Sequence, residues 1–368
     1  MSEEPPTDTV IHGDCLEVLP TLPEKSADAI FADPPYNLQL NKELWRPNLT
    51  KVDAVDDEWD QFAGFAEYDR FTEAWLSECR RVLKDTGTIW VIGSYHNIYR
   101  VGRILMDLGY WILNDIIWVK TNPMPNFRGV RFTNAHEILL WAKKSEKQKR
   151  YTFNHQAMKQ FNEGKQARSD WLIPICSGRE RIRIEGKKAH STQKPEALLE
   201  RVIIASTRVG DLILDPFFGS GTTGAVAKRL GRHWLGIELD EEYVRVARER
   251  IASVPAPLRH VLEELRAKEK TAKPRVPFRR LLELGLLHSG QTLTHSRTGT
   301  HATIRQDGTL CADGIEGSIH RVAARISEAP AANGWTSWLY QDDATGRLES
   351  IDRLREQARA LADGNSTD

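Results

Sequence analysis

Val209-Gly-Asp-Leu-Ile-Leu-Asp215-Pro-Phe-Phe-Gly219-Ser-Gly221-Thr-Thr-Gly224 is the stretch that decides the fold. Its apolar residues predict a buried strand that ends at Asp215, and its glycines predict a tight turn that opens a helix. Residues 234–238 predict the next strand, which ends at Glu238, 17 residues after Gly221. A strand, a G-x-G-x-x-G turn, a helix and a strand with an acidic end are typical of a site for an adenosine-containing cofactor. This pattern alone does not separate NAD from S-adenosylmethionine.

A second stretch, Ala29-Ile-Phe-Ala32-Asp33-Pro34-Pro35-Tyr36, predicts a short buried strand that stops abruptly. Each proline fixes its own φ, lacks an N–H and keeps the preceding residue extended, so the turn is stiff. The turn lies beyond the carboxyl end of a strand, where α/β sheets bind ligands. We expect the Asp33 carboxylate and the Pro34 carbonyl to hold the exocyclic amine of a nucleobase, with Tyr36 stacked on the base. The alternative is a proline-rich turn with an incidental aspartate.

Strands and helices alternate around these two stretches, which predicts an α/β fold. Residues 69–84 form a predicted helix, with apolar residues at helical spacing and a stop at Asp85-Thr-Gly87. Near the amino end, Asp14 follows a short predicted strand and is either a turn former or a ligand carboxylate. The other predicted helices are residues 97–108, 196–206 and 241–252, and the other predicted strands are residues 88–92, 111–119 and 136–142.

Composition narrows the class of protein. The 368 residues have a net charge of +0, so any nucleic-acid surface must be a local patch. The four cysteines are far apart in the sequence and form no C-x-x-C pair, which favours neither a zinc site nor a disulfide framework. The polar, acidic start does not resemble a signal peptide, and no apolar run is long enough to span a membrane. We therefore expect a cytoplasmic protein.

Two long segments carry unusual composition. Residues 37–64 show little periodicity, which is typical of a mobile loop that closes over substrate or of a disordered insert; we favour the mobile loop. Residues 143–190 contain 13 Lys and Arg against 5 acidic residues, a local excess of +8, and their interleaved aromatic residues are Tyr151, Phe153, Phe161 and Trp171. A basic segment with interleaved aromatics predicts a nucleic-acid surface, although a solvated charged face is the commoner origin of such a run.

The carboxyl-terminal part has its own pattern. We expect a catalytic domain over residues 1–260 and a linker over residues 261–277, which are rich in Pro, Lys and Glu. Residues 278–360 predict a compact α+β module, and residues 361–368 a disordered tail. An interaction or dimerisation domain is the alternative for this module.

Several stretches together resemble the β-class adenine-N6 DNA methyltransferases, specifically the cell-cycle-regulated (CcrM) type of alphaproteobacteria. They are Asp33-Pro-Pro-Tyr-Asn-Leu-Gln-Leu40, Asn122-Pro-Met-Pro-Asn126, Thr192-Gln-Lys-Pro195, Asp215-Pro-Phe-Phe-Gly219 and the carboxyl-terminal module. The resemblance implies a circularly permuted, Rossmann-like methyltransferase sheet with helices on both faces, plus a small α+β module for DNA recognition. Ser191 departs from the family pattern, where we expect proline, and this affects only the stiffness of its loop.

The resemblance also implies roles for individual residues. The catalytic residues would be Asp33, Pro34, Pro35 and Tyr36. S-adenosylmethionine would be bound at its adenine by Asp14 and Cys15, at its ribose by Glu238, and at its methionine end by Thr192, Gln193 and Lys194. The loop around it would include Asp215, Phe217, Gly219, Gly221, Thr222 and Thr223. The DNA contacts would be Leu38, Leu40, Trp45, Arg46, Asn122, Arg128, Arg131, Arg179, Ser318 and Trp335.

The family methylates a flipped adenine in GANTC within double-stranded DNA and acts as a homodimer, so the resemblance implies these partners and a place at the nucleoid, without a metal or a membrane. Cytosine-C5 enzymes are excluded because no cysteine follows a proline. Cytosine-N4 enzymes typically carry serine where Asp33 stands. Two alternatives stay open at this point: an NAD-dependent oxidoreductase built on the glycine turn, and a non-catalytic DNA-binding protein.

Overall fold

A computed structural model describes residues 4–37, 62–126, 129–184, 187–188, 192–269, 276–342 and 345–364. The chain divides into two compact units, residues 1–270 and 271–368. No helix within these described ranges is long and apolar enough to cross a membrane.

An eight-stranded sheet forms the centre of the first unit. Its strands follow the order β1-β10-β9-β2-β3-β5-β4-β6, and a separate hairpin pairs β7 with β8. The strands are β1 (Thr9–His12), β2 (Ala27–Ala32), β3 (Leu83–Gly93), β4 (Trp111–Lys120), β5 (His136–Lys143), β6 (Asp170–Ile173), β7 (Arg183–Ile184), β8 (Lys187–Lys188), β9 (Leu212–Asp215) and β10 (His233–Glu238). Within the large sheet, β5 runs antiparallel to its neighbours β3 and β4, and the other pairs are parallel. The predicted α/β sheet is confirmed.

Helices cover both faces of this sheet. They are α1 (Cys15–Val18), α2 (Phe65–Val82), α3 (Ile98–Asp107), α4 (His155–Met158), α5 (Glu196–Ser206), α6 (Thr222–Arg229), α7 (Glu241–Ser253) and α8 (Arg259–Lys268). Residues of β2 alternate between two buried clusters: Ala29 and Phe31 pack with α5 and α6, whereas Ile30 and Ala32 pack with α2 and α3. A strand that is buried on both faces reads as a continuous apolar run, which is why this strand was recognisable in the sequence.

The two motif-bearing strands β2 and β9 are direct neighbours in the sheet. Ala29 pairs with Ile213 and Ile30 with Leu214, in parallel register. From β9 the chain continues through α6 to β10 on one side, and from β2 it continues through α2 to β3 on the other. The order of the strands therefore reverses between β2 and β9. A crevice forms at such a point beyond the carboxyl ends of the strands, and it receives the ends of both motifs.

The predicted stop of the α2 helix at Asp85-Thr-Gly87 is wrong. The helix ends at Val82, Leu83 is extended, and β3 begins at once. Leu83 is fully buried, and its packing draws the chain straight into the sheet. The residues up to Gly87 form an irregularity in the pairing of β2 with β3, where Ala27 pairs with Leu83 but Ala29 pairs with Thr88.

The aromatic residues of the basic segment 143–190 pack largely onto the sheet. Trp171 lies in β6, is 4% exposed, and has its ring 6.0 Å from that of Trp90. Tyr151 and Phe153 have their rings 5.7 and 5.5 Å from Trp141. Trp171 is therefore a packing residue, whereas Tyr151 and Phe153 touch Trp141 of β5 and stay 39% and 42% exposed. The nucleic-acid surface predicted for this segment stays a prediction.

Helix α8 covers much of the stretch predicted as a linker, residues 261–277. The fully buried guanidinium of Arg232 forms an ion pair with Glu269, directly after α8. The side chain of Leu262 packs so closely against Gly231 that a Cβ atom there would lie 2.3 Å from it. These contacts hold α8 within the first unit.

The second unit is an α+β fold, as predicted. Its antiparallel sheet has the order β14-β13-β12-β11-β15-β16. The strands are β11 (Thr292–His295), β12 (His301–Ile304), β13 (Leu310–Ala312), β14 (Ile315–Gly317), β15 (Trp338–Gln341) and β16 (Leu348–Ser350), and the helices are α9 (Arg279–Glu283), α10 (Ile319–Ile326), α11 (Gly334–Ser337) and α12 (Ile351–Gly364). Residues 361–364, predicted as part of a disordered tail, continue α12, and residues 365–368 lie outside the described ranges.

Candidate active site

A cavity of about 650 Å³ opens where the strand order reverses, at the carboxyl ends of β2, β9 and β10. This volume lies within the range of small-molecule sites. Every predicted catalytic and cofactor residue except Gly221 lines it. The sequence did not predict the other lining residues, which include Phe31, Phe62, Phe71, Leu199, Phe218, Leu239, Asp240 and Tyr243.

The glycine turn places two glycines in the left-handed region for different reasons. Gly219 has φ 51° and lines the cavity, whereas Gly221 has φ 74° and caps α6. A Cβ atom on Gly221 would lie 2.8 Å from the Cβ of Ala247 in α7. Gly221 does not line the cavity, and its missing side chain allows the close approach of two helices. Its predicted place in the cofactor loop stays a prediction.

Asp215 ends β9 and supports the glycine turn from below. Its Oδ1 accepts a hydrogen bond from the Phe217 N–H at 3.0 Å, and its Oδ2 accepts one from the Thr223 hydroxyl at 2.5 Å. Burial raises the pKa of this carboxyl to about 7, aided by the charges of Asp33 and Glu238 and opposed by the two hydrogen bonds. Asp215 therefore shapes the turn and also lines the cavity.

Glu238 ends β10 on the neighbouring side of the cavity. Its carboxylate accepts hydrogen bonds from the N–H groups of Gly219, at 2.6 Å, and Asp240, at 2.9 Å. Burial raises its pKa above the ordinary value. These bonds tie the end of β10 to the glycine turn and hold the carboxylate at the cavity wall, where an acid is expected to meet a ribose.

Asp14 and Cys15 line the same cavity from α1. Asp14 caps this helix by accepting a hydrogen bond from the Leu16 N–H at 2.9 Å. Burial, together with the charge of Asp14, raises the pKa of the Cys15 thiol well above its ordinary value. Cys15 is therefore a neutral, apolar wall of the cavity, suited to the face of an uncharged ring.

Asp33 lies directly after β2, and within the described part of the chain only one of its two carboxylate oxygens accepts a hydrogen bond. Its Oδ2 accepts a hydrogen bond from the Lys194 ammonium at 2.5 Å, and the two side chains are 16% and 8% exposed. Its Oδ1 is buried and has no hydrogen-bond partner among the described residues. Burial raises the pKa of Asp33, and Lys194 opposes this shift. A buried carboxylate oxygen without a donor is unfavourable, so this atom is placed to receive one from a ligand.

Two residues of the stretch predicted to hold the methionine end line the cavity but are bound to other groups of the protein. The ammonium of Lys194 is bound to Asp33, on the side of the catalytic turn. The side chain of Gln193 donates to the Glu180 carbonyl at 2.9 Å and accepts from the Ile182 N–H at 3.0 Å. Gln193 thus braces a neighbouring loop, because its two-sided amide satisfies backbone groups that would otherwise be unpaired.

The ring of Tyr36 is anchored by residues that the sequence did not predict. Its hydroxyl donates to Glu137 Oε2 at 3.0 Å, and Glu137 Oε1 lies 2.6 Å from Lys120 Nζ. Lys194 Nζ lies 5.3 Å from the centre of the ring. Burial acts to raise the pKa of Glu137, but Lys194 and Lys120 bring it below its ordinary value. The only sequence signal was a charged residue at the end of each of two apolar strands.

The proline turn is also held from α2 and from the short connection between β3 and α3. The Tyr68 hydroxyl donates to the Pro35 carbonyl at 2.9 Å and accepts from the Asn97 amide at 3.2 Å. Asn97 in turn accepts from the Ser94 N–H at 3.0 Å. Tyr68 and Asn97 are buried, so this chain of hydrogen bonds is protected from water. It fixes the turn from which Asp33 and Tyr36 project.

The predicted DNA contacts of the first unit are only partly described. Leu38, Leu40, Trp45, Arg46 and Arg128 lie outside the described residues, and the side chain of Arg179 is not described. Asn122 and Arg131 are exposed. The Asn122 side chain accepts from the Ile175 N–H at 2.8 Å, and the Arg131 guanidinium donates to the Tyr95 hydroxyl at 2.8 Å. Neither residue lines the cavity.

The predicted DNA contacts of the second unit differ in exposure. Ser318 is exposed and caps α10. Trp335 is 6% exposed, with its ring 6.1 Å from that of Phe278 and the Arg355 guanidinium 4.7 Å above it. The large apolar surface of Trp335 fills the core of this unit, which does not favour its predicted role as a DNA contact.

Comparison with known proteins agrees with this geometry. Residues 27–249 match the model of the N6_N4 methyltransferase family, described as DNA methylase, and residues 260–362 match a family described as Restriction Enzyme Adenine Methylase Associated. The chain is 50% identical over 346 residues to the type II methyltransferase M.HinfI of Haemophilus influenzae, covering 93% of this chain and 95% of the relative. It is 45% identical over 242 residues to the type II methyltransferase M2.DpnII of Streptococcus pneumoniae, covering 66% and 88%.

Among solved structures, the PvuII DNA methyltransferase (cytosine-N4-specific) superposes with a TM-score of 0.53 at 21% identity, covering 74% of this chain and 98% of that one. This likeness supports the Rossmann-like methyltransferase fold. The family models match most of the chain, and the curated relatives share up to half of its residues. The chain therefore belongs to the N6/N4 DNA methylase family and is a DNA methyltransferase that uses S-adenosylmethionine.

Proposed function

We propose that this enzyme is a site-specific DNA adenine-N6 methyltransferase that acts on a flipped adenine in GANTC. The observation that carries the proposal is the buried Oδ1 of Asp33, which has no partner among the described residues and lies in the same cavity as the glycine turn. An exocyclic amine brings two N–H donors. One of them satisfies Oδ1, and the other is taken by the Pro34 carbonyl on the same stiff turn.

The choice of adenine over cytosine rests on Asp33. The family includes enzymes for both bases, and the cytosine enzymes typically carry serine at this position. A carboxylate accepts a hydrogen bond and favours the positive charge that develops on the amine nitrogen, which a serine hydroxyl does less well. Tyr36 stacks on the base, and stacking contributes about 1–3 kcal/mol per base.

The chain's own residues supply positioning for the reaction. S-adenosylmethionine, when bound, provides an electrophilic methyl on a sulfonium sulfur. Glu238 accepts the ribose hydroxyls, Cys15 and Phe217 offer apolar walls, and Asp215 shapes the turn beside them. With that donor bound, the amine nitrogen would take the methyl carbon as the carbon–sulfur bond breaks, and Asp33 Oδ1 would hold the amine N–H and accept its surplus proton. Holding the reacting atoms in line is the main contribution of such a site.

The proposal extends to the cell-cycle-regulated (CcrM) type, to a homodimer and to action on nucleoid DNA. It is supported by the match of residues 260–362 to a module associated with adenine methylases, and by the identity of 50% to a type II methyltransferase over almost the whole chain. The second unit reads DNA from its exposed surface, where Ser318 lies. The loop that contains Leu38, Leu40, Trp45 and Arg46, together with Arg128, Arg131, Arg179 and Asn122, contacts the duplex in the first unit.

The test is methyl transfer to defined duplexes. The protein is incubated with labelled S-adenosylmethionine and a duplex that contains one GANTC, and the modified nucleoside is identified by mass spectrometry. We expect N6-methyladenine, protection from a nuclease that is blocked by this modification, and no transfer to a control duplex in which the bases of the site are scrambled so that no GANTC remains. The Asp33→Ala variant should neither transfer nor protect. N4-methylcytosine as the product, or full protection by Asp33→Ala, would refute the proposal.

A further inference from the structure

A buried ion pair lies beside the catalytic turn without touching the place of the reacting atoms. Lys120 Nζ is 2.6 Å from Glu137 Oε1, and the two side chains are 12% and 11% exposed. The other oxygen of Glu137 accepts the hydrogen bond from the Tyr36 hydroxyl at 3.0 Å. Both carboxylate oxygens are therefore occupied, one by a cation and one by the ring that is expected to stack on the base.

The pair is carried by two adjacent strands of the sheet. Glu137 in β5 pairs with Trp118 in β4, and Lys120 follows two residues later on the same face of β4. The Lys120 ammonium also lies 5.4 Å from the centre of the Trp118 ring. Groups on strands are held more precisely than groups on loops, so this pair is a rigid reference point for anything bonded to it.

Tyr36, in contrast, lies beyond the end of its strand. The turn is fixed at Pro35 through the Tyr68 hydroxyl, but that bond holds the backbone and not the ring. The hydroxyl bond to Glu137 joins the far end of the ring to the sheet, across 101 positions of sequence. A phenylalanine would fill the same space and would lack this tie.

The charge state of Glu137 decides which group donates in its hydrogen bond with Tyr36. A carboxyl buried without a cation tends to protonate, and a protonated carboxyl both donates and accepts. Lys194 and Lys120 keep Glu137 ionised and acceptor-only, so the Tyr36 hydroxyl donates to it. This hydrogen bond at the far end of the ring restricts the plane that the ring can take.

We propose that Lys120 and Glu137 are positioning residues that hold the ring of Tyr36 in the plane that a flipped adenine requires. The inference rests on the proposed function, in which Tyr36 stacks on the target base. A ring that is already oriented does not have to be ordered by the incoming base, so the pair acts on the transfer step and not on cofactor binding.

A double-mutant cycle tests this role. Tyr36→Phe removes the hydroxyl, and Glu137→Gln leaves a single oxygen that cannot accept from both Lys120 and Tyr36. We expect each variant to lower the single-turnover rate of methyl transfer by about tenfold to a hundredfold, as small misplacements in active sites do. Because Glu137 acts through the hydroxyl, the double variant should be no slower than the slower single variant. Calorimetry should give an S-adenosylmethionine Kd within about twofold of wild type, since the pair lies outside the cofactor contacts.

Lys120 provides a graded comparison, and a distant ion pair provides the control. Lys120→Met should slow transfer as Glu137→Gln does, and Lys120→Arg, which keeps the charge, should recover part of that loss. Lys84 pairs with Asp28 at 2.7 Å near the amino end of β2 and outside the cavity. Lys84→Met should lower the melting temperature and leave the single-turnover rate unchanged.

Each outcome separates this inference from the proposed function. Rate losses that multiply in the double variant would show that Glu137 acts independently of Tyr36, and would overturn the inference. A lower melting temperature with an unchanged transfer rate in Glu137→Gln would reduce the pair to a structural role and would also overturn it. If the wild-type protein forms no N6-methyladenine, the proposed function itself fails, and this is seen before any variant is made.

Discussion

Removing the ammonium of Lys194 is the sharpest test of the electrostatics at Asp33. Lys194 Nζ lies 2.5 Å from Asp33 Oδ2, in a pair whose side chains are only 8% and 16% exposed. Lys194→Met keeps most of the apolar stem and deletes the charge. Burial and the charge of Glu137 already raise the pKa of Asp33, and Lys194 is the main group that lowers it. In the variant that pKa rises further, so Asp33 becomes protonated at a higher pH than in wild type.

The expected size follows from the burial of the pair. Breaking a buried ion pair by removing one partner costs about 3–5 kcal/mol, and solvent screens this pair little. For a unit of this size, a loss of about 3 kcal/mol lowers Tm by roughly 6–12 °C. The ammonium does not stabilise the positive charge that develops on the amine, so its removal lowers the rate through the fraction of Asp33 that becomes protonated. The stability figures apply at a pH where Asp33 of the variant is still ionised or partly so.

Stability and activity should change with pH in opposite directions. A carboxyl whose pKa is raised in the folded state binds its proton more tightly there than in the unfolded chain, so protonation stabilises the folded variant. The Tm deficit relative to wild type should therefore shrink as pH falls and grow as pH rises. In the proposed mechanism, transfer requires the Asp33 carboxylate, so the rate of the variant should rise with pH, with its midpoint above that of wild type.

The assays are Tm and single-turnover methyl transfer, each measured across pH. Lys84→Met, which breaks the pair with Asp28 at the other end of β2, is the matched control. It should lose stability without any shift in the pH–rate profile. A Lys194→Met profile that superposes on the wild-type profile would refute the reasoning. An increase in the Kd for S-adenosylmethionine with an unshifted profile would instead return Lys194 to the methionine end of the cofactor.

Three further variants probe the rest of the molecule. Glu238→Gln should weaken S-adenosylmethionine binding by about 2 kcal/mol, measured by calorimetry. The ionised oxygens that accept from the ribose and from the Gly219 N–H are then absent. Unchanged affinity would remove its ribose role. Gly221→Ala should lower the free energy of unfolding by about 1–3 kcal/mol, seen as a lower Tm, because φ is +74° and the new methyl would lie 2.8 Å from Ala247. A more stable variant would contradict this. Trp335→Ala should cost the second unit about 3–5 kcal/mol in chemical denaturation, as for other buried tryptophans; loss of DNA affinity at full stability would restore it as a DNA contact.

The sequence was informative about the strands that are buried on both faces. β2 and β9 are short continuous apolar runs, and each ends at an aspartate followed by proline, so their ends were visible without coordinates. Glycine and proline constrain φ locally, which makes turns built from them readable from residue type. Fifteen of the sixteen predicted catalytic and cofactor residues line one cavity, all but Gly221. Their individual roles stay predictions.

Predictions based on local patterns failed where a tertiary contact competed. The residues Asp85-Thr-Gly87 looked like a helix end, but α2 ends earlier, at Val82, and β3 begins at the buried Leu83. Trp171 among the basic residues 143–190 looked like part of a stacking surface, but it lies in β6, which joins the sheet and buries the ring. Trp335 looked like a surface contact and became a core residue. In each case the sequence showed the residue type, and the burial of apolar area decided its place.

By itself, the sequence determined the α/β class, the two motifs and the kind of ligand each of them suits, because these depend on residues adjacent in the chain. Only the tertiary structure decided which charges meet. Lys194 is paired with Asp33 across 161 positions, and Tyr36 is bound to Glu137 across 101 positions. The cost of burying a charge is met only by a partner in space, and a sequence does not show which distant residue the fold brings there.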